Sequence, residues 1–223
     1  MNVLDYFAKN SDEMNYRVYY PDNYKDLPLL IYLHGAGERG TNLPHLERHA
    51  IPRMIKNGAS IPAVVLCPQC PAVFVWDNVT AMLKRVIDEV VEKFGILKDR
   101  ICITGSSMGG YGTWMMGLAY PSFFSGIAPI AGGGMSWRVR NLRTTPVYAV
   151  HGKLDTSVPI ECSELMVNAL NKLGYNVKFK VLENHGHNDG INYTYTDTDV
   201  IEWLLSQRKT DFSPIPDVCS EWF

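Results

Sequence analysis

The stretch Ile101-Cys102-Ile103-Thr104-Gly105-Ser106-Ser107-Met108-Gly109-Gly110-Tyr111-Gly112-Thr113-Trp114 decides how the rest of the chain reads. Its first four residues form a short apolar run rich in β-branched side chains, the pattern of a buried strand. From Tyr111 onward apolar residues return at helical spacing. Between the two lies Gly105-Ser106-Ser107-Met108-Gly109, a G-x-S-x-G pentapeptide. A strand, a glycine-flanked serine and a helix in that order make a sharp turn that lifts the middle serine, here Ser107, into the open as a nucleophile elbow. Glycines flank it because a Cβ at either place would crowd the turn. The N–H of Met108, at the helix start, would point at the same space as the Ser107 hydroxyl, where a helix N-terminus favours developing negative charge. A Gly/Ser-rich turn without chemistry has the same letters. The rest of the chain must therefore supply a histidine and an acid in the right order.

The chain has 223 residues, 46% hydrophobic and 20% charged, enough for one sizeable core. The reading is a single domain over residues 1–223, with its core at about 14–208 and an irregular tail, 209–223, broken by Pro214 and Pro216. A net charge of -2 gives no nucleic-acid surface. Arg138, Arg140 and Arg143 form one local basic cluster, read as a solvated face. No apolar run approaches a membrane span, and the N-terminus shows no basic region followed by an apolar one. A cytoplasmic protein is expected. The five cysteines are Cys67, Cys70, Cys102, Cys162 and Cys219. An odd number without a secretory signal reads as reduced thiols. Cys67-Pro68-Gln69-Cys70 is formally C-x-x-C, but no second pair accompanies it and the H-x-E of a zinc deaminase is missing. These cysteines are read as structural, with no metal and no organic cofactor.

Apolar runs at 14–20, 29–33, 63–66, 101–104, 126–131, 146–150 and 177–181 read as strands. Helical patterns cover about 47–57, the stretch from an Asp77 cap to Gly95, the segment after the elbow, the stretch carrying Cys162, Leu165, Met166, Ala169, Leu170 and Leu173 inward, and 199–207. Strands alternating with helices predict an α/β fold, a mainly parallel sheet with helices on both faces. Lys178 and Lys180 on one face place the last strand near an exposed edge. The connection from Met135 to Thr145 is too short for a sizeable lid domain.

Ligands of such sheets bind at the carboxyl ends of strands. The polar candidates fall there: His34-Gly35-Ala36-Gly37-Glu38-Arg39-Gly40, Ser107, Asp155, and His185 or His187. The first loop lacks the Lys-Ser/Thr of a phosphate loop and matches the H-G-x-G type that offers a second oxyanion N–H. His34 precedes the serine and reads as structural. Ser107, Asp155 and His187 stand in the order serine, acid, histidine. Asp155 has a second reading as a cap for the helix near Pro159. His187 is favoured over His185, two residues away, as the base.

At this point the chain resembles the compact, lidless α/β-hydrolase esterases: the phospholipase/carboxylesterase, dienelactone-hydrolase-like and feruloyl-esterase-like groups. The matching stretches are the His34–Gly40 loop, Gly105–Gly110, His151-Gly152-Lys153-Leu154-Asp155, Gly186-His187, and Trp203-Leu204-Leu205 in the closing helix. The resemblance spans about residues 14–208. It implies a catalytic triad of Ser107, Asp155 and His187, with backbone N–H groups of Met108 and Ala36 (or Gly37) as the oxyanion hole. Dienelactone hydrolases carry cysteine at the elbow, where this chain has Ser107. Asn188-Asp189-Gly190 lacks the tryptophan of the nearest feruloyl-esterase-like members. The implied activity is that of a serine carboxylic-ester hydrolase working through an acyl-enzyme on small, aromatic or sugar-linked esters. Trp76 and Trp137 lie in loops that would border the substrate, or serve as packing residues. The expected partner is a small-molecule ester, with no nucleic acid and no membrane; the oligomeric state is left open. A prolyl-oligopeptidase-like peptidase and a non-catalytic binding protein on the same scaffold are the alternatives.

Overall fold

In the computed structural model, which describes residues 1–217, eight strands form one twisted sheet. They are β1 (Asn2–Tyr6), β2 (Tyr16–Tyr20), β3 (Leu29–Leu33), β4 (Val64–Pro68), β5 (Ile101–Ser106), β6 (Gly126–Ile130), β7 (Val147–Gly152) and β8 (Val177–Leu182). Their order across the sheet is β1-β2-β4-β3-β5-β6-β7-β8. The pairs β1–β2 and β2–β4 are antiparallel; every later pair is parallel. The helices are α1 (Ala50–Lys56), α2 (Thr80–Phe94), α3 (Met108–Ala119), α4 (Glu161–Lys172), α5 (His187–Asp197) and α6 (Val200–Ser206). This is the α/β-hydrolase architecture, with no large inserted lid among the described residues.

The strand sequences explain the arrangement. All residues of β3, β4, β5, β6 and β7 are buried. Strands covered on both faces need no polar alternation, so they appear as continuous apolar runs. One face of the sheet packs on α2, α3 and α4, through Leu83, Ile87, Trp114, Met116, Met166 and Leu170. The other packs on α1, α5 and α6, through Ile51, Ile55, Ile191, Tyr195 and Leu204. The edge strand β8 carries Lys178 and Lys180 as expected, and Lys178 pairs with Asp199 at 2.7 Å.

Several elements depart from the sequence reading. The 47–57 helix is two pieces, a 3-10 turn at Leu43–Arg48 and then α1, because His49 between them is extended at φ -140, ψ 164. Asp77 lies inside a 3-10 turn, Trp76–Val79, and gives α2 no side-chain cap; Gly95 does end α2, in the left-handed region at φ 64. The inner face of α4 is Ser163, Met166, Val167 and Leu170, whereas Leu165 and Leu173 face solvent. The stripe is rotated because Ser163 is wanted inside: its hydroxyl meets His151 Nδ1 at 2.7 Å and Gly132 O at 2.8 Å. β1 and α5 had no sequence-based expectation. β1 precedes the anticipated core and is held by the Asn2↔Tyr20 to Tyr6↔Tyr16 pairing. Residues 207–217 have no regular structure, while the Cys219 reading lies outside the described residues. No helix among the described residues is long and apolar enough to cross a membrane.

Candidate active site

The turn from β5 into α3 puts Ser107 at φ 58, ψ -120, a backbone conformation that costs a non-glycine residue free energy and is held only by its surroundings. The surroundings are specific. Ser107 N–H donates to Ile130 O at 3.0 Å, and its carbonyl accepts from Gly110 and Tyr111 at 2.8 and 3.1 Å. A Cβ on Gly105 would sit 2.4 Å from Gly109 O, and one on Gly109 would sit 1.9 Å from Leu33 O. The glycines therefore let α3 approach β3 and β5 closely enough to fix the turn. Met108 opens α3, where the first N–H groups have no partner within the helix.

Residues from two further strand ends join Ser107. Its Oγ lies 2.9 Å from His187 Nε2, and His187 Nδ1 lies 2.6 Å from Asp155 Oδ2. The geometry fits a hydroxyl donating to Nε2 and an Nδ1–H donating to the carboxylate. Asp155 follows β7 and His187 opens α5. The two loops can close because Gly152 has no side chain: a Cβ there would fall 2.5 Å from His185 O. Asp155 also accepts the N–H groups of Ser157 and Val158, both at 2.9 Å, in the bend ahead of α4; it does not cap that helix, whose N-cap is Ile160 with no side-chain cap. His151, which sequence reasoning passed over, is buried beside it. Its Nε2 lies 2.9 Å from Val158 O and 3.4 Å from Asp155 Oδ2. His185 points elsewhere, its ring 4.4 Å from that of Tyr193.

Burial works against the charge on Asp155. The hydrogen bonds from His187, Val158 and Ser157 outweigh it and hold the carboxyl below its ordinary value. A depressed folded-state pKa adds stability above the unfolded pKa, near 3.8, that is lost as pH falls through the folded value. The melting-temperature gap between wild type and Asp155→Asn is therefore expected to shrink as pH drops below about 4. Thermal melts of both proteins across pH 7 to 2.5 check this; a gap that stays constant or widens would contradict it.

The loop after β3 forms the other wall. His34 is buried; its Nε2 accepts the Cys70 N–H at 3.0 Å while Nδ1 lies 2.5 Å from Gly35 O. That pattern fixes a neutral ring with the proton on Nδ1, in line with burial lowering its pKa to about 4. His34 thus braces the loop, as its early place in the sequence implied. Ala36 starts a short 3-10 turn, Ala36–Glu38. Glu38, within the loop of polar candidates but without an expected role of its own, is buried. Burial raises its pKa. A carboxylate amid the glycines of a loop at a strand end was the available signal.

Two hollows meet at Ser107. One, of about 270 Å³, is lined by Ala36, Gly37, Glu38, His49, His187 and Asn192 among others. The second, of about 310 Å³, is lined by Val75, Trp76, Asp77, Met108, Tyr111 and Val158. Trp76 is buried as a packing residue, donates Nε1–H to His34 O at 3.0 Å, and lines the second hollow. Trp137 is half-exposed on the Ser136–Leu142 turn and lines neither hollow. Arg138 of the same segment is tied to Asp217. Cys67 and Cys70 are buried thiols, which burial pushes up, Cys70 to about 12. Among the described residues no three His, Cys, Asp or Glu side chains are grouped to hold a metal ion.

Residues 74–192 match the family described as Phospholipase/Carboxylesterase. Over 105 residues the chain is 32% identical to an acyl-protein thioesterase 1 of Gibberella zeae, covering 42% of this chain and 43% of that protein. The chain thus spans less than half the length of that relative. Among solved structures, a thermostable esterase superposes with a TM-score of 0.79 at 28% identity, covering 92% of this chain and 63% of the other. A feruloyl esterase module from Clostridium thermocellum shares the fold, with a TM-score of 0.74 at 16% identity over 96% of this chain and 91% of that one.

Proposed function

The chain belongs to the phospholipase/carboxylesterase family, and from that premise we propose that it is a serine ester hydrolase whose triad is Ser107, His187 and Asp155. The observation that carries this reading is the unbroken hydrogen-bond chain from Ser107 Oγ through the His187 ring to the buried Asp155 carboxylate. A serine held in a strained turn and bonded to an oriented imidazole has what acyl transfer requires.

In this mechanism His187 Nε2 takes the proton as Ser107 Oγ attacks the ester carbonyl carbon. Asp155 stabilises the imidazolium and keeps the ring turned. The oxyanion is held by the backbone N–H groups of Met108 and Ala36, each such donor being worth about 2.7–4 kcal/mol. The imidazolium then protonates the leaving oxygen and the C–O bond breaks, leaving an acyl group on Ser107. Water, deprotonated by His187, attacks that acyl carbon and releases the acid. Thioesters follow the same steps with a sulfur leaving group. The substrates proposed are small esters with aromatic or sugar portions, the wall of Trp76 and Tyr111 supporting the former.

Incubation with a fluorophosphonate probe and peptide mass spectrometry tests the assignment. Label is expected on Ser107 of wild type and of His185→Ala, and is expected to be lost in Ser107→Ala and His187→Ala. An unlabelled, folded wild-type protein would overturn the reading.

A further inference from the structure

The two hollows at Ser107 differ in chemistry, and the direction of the reaction assigns them. His187 must deliver a proton to the leaving oxygen, so the leaving group departs on the side that His187 lines. That side is the hollow holding Glu38, His49, Asn188 and Asn192. The acyl portion is then left to the other hollow, where Val75, Trp76, Tyr111 and Val158 give a largely apolar wall beside Asp77.

The polar hollow contains a group that hydrolysis itself leaves unused. The Glu38 side chain is only 6% exposed, yet it lines the cavity. His49 Nε2 lies 3.5 Å from its carboxylate and His34 Nδ1 lies 3.9 Å away, both too long for good hydrogen bonds. The Nδ1 proton of His34 is in any case directed to Gly35 O. Glu38's own backbone N–H donates to the carboxyl, and the lone pairs that remain are costly to bury until another donor arrives. The place a Gly35 Cβ would occupy is 3.5 Å from Glu38 Oε2 and 3.8 Å from Ser107 Cβ, so the carboxylate and the serine stand on either side of one glycine.

We infer that Glu38 is a specificity-determining residue, whose carboxyl group accepts a hydrogen bond from a hydroxyl on the leaving alcohol and so selects esters of polyols or sugars over esters of simple alkanols. The inference rests on the serine-hydrolase reading above. A hydroxyl fits better than an ammonium group. Arg48 already brings a fixed positive charge to this loop, its guanidinium 3.5 Å from Gly37 O, and a further cation beside it would be opposed. The amides of Asn188 and Asn192 each offer a donor and an acceptor, which suits neutral hydroxyls.

The test compares kcat/KM for glyceryl monobutyrate and ethyl butyrate, which share one acyl group. Wild type is expected to prefer the glyceryl ester. Glu38→Gln is expected to reduce the preference about tenfold, the scale of a hydrogen bond to a charged group. Gly35→Ala is the second variant. Its methyl group meets only ordinary contacts at 3.5 Å and beyond, at φ -75, so the fold tolerates it while the methyl fills the space in front of Glu38. It too is expected to reduce the preference, which keeps the test decisive where Glu38→Gln fails to fold. A ratio unchanged in every variant that folds, or a wild type that labels at Ser107 but shows no preference, overturns the role of Glu38 alone. A wild type that neither labels nor cleaves either ester overturns the hydrolase reading with it.

Discussion

Ser107→Ala and His187→Ala are each expected to lower kcat on p-nitrophenyl acetate by on the order of 10⁶-fold, and the double variant by no more than either alone. The reason is the 2.9 Å contact between Ser107 Oγ and His187 Nε2. The serine hydroxyl is a weak nucleophile unless a base removes its proton in the same step, and the imidazole has nothing to activate once the hydroxyl is gone. The two side chains act as one unit, so removing the second costs nothing further. The backbone donors proposed at Met108 and Ala36 remain in every variant. They leave a residual rate roughly 10³–10⁴-fold above water, equal in all three proteins. Ser107→Ala should keep the fold, because alanine meets the same strain at φ 58 as serine does. Steady-state rates on proteins with matching circular dichroism decide the matter. Penalties that multiply in the double variant would mean that Ser107 and His187 act independently, and the triad would be wrong.

What was legible in the sequence follows from where signals are local. The parallel core strands are buried on both faces, so Leu29-Leu30-Ile31-Tyr32-Leu33 and its counterparts stand out as apolar runs. Ser107, Asp155 and His187 each follow or border a recognisable strand end, and their order along the chain is itself informative. Elements that owe their structure to partners were harder to read. β1 is an exposed edge strand whose Asn2, Val3 and Asp5 give no apolar pattern; it forms because β2 offers it a ladder. α5 reads His187-Asn188-Asp189-Gly190-Ile191-Asn192-Tyr193-Thr194-Tyr195-Thr196-Asp197, poor in helix formers and carrying a glycine. It is helical because Ile191 and Tyr195 pack on the sheet, Tyr195 OH meets Thr104 Oγ1 at 2.9 Å, and Asp189 accepts the Gly186 N–H at 3.1 Å. Glu38 escaped for a different reason. A glutamate in a glycine-rich loop looks solvent-facing, and only the fold of His34, Gln69 and Cys70 around that loop buries it.

Gly109→Ala is expected to destabilise the protein by about 4 kcal/mol or more, at the far end of what single substitutions do. In an exposed helix the same change would stabilise, since alanine is the better helix former by about 1 kcal/mol. Here the new Cβ would lie 1.9 Å from Leu33 O, 2.5 Å from Leu33 C and 2.8 Å from His34 O. All three are main-chain atoms, so no rotamer change relieves the overlap. Leu33 is paired with Gly105 in the β3–β5 ladder, and His34 is anchored through Cys70 and Gly35. The helix must therefore back away from the sheet, or β3 must leave its register. Gly37→Ala is the control, because its Cβ would meet nothing within 4 Å; it is expected to stay within about 1 kcal/mol of wild type. Urea unfolding of the three proteins measures the difference, and a Gly109→Ala protein as stable as the control would refute the argument. The consequence reaches the chemistry. Met108 N–H belongs to α3 and Ala36 N–H to the loop after β3, so both can face one oxyanion only while that helix sits hard against that strand. Any Gly109→Ala protein that still folds is thus expected to lose kcat as well, with Ser107, His187 and Asp155 all still present.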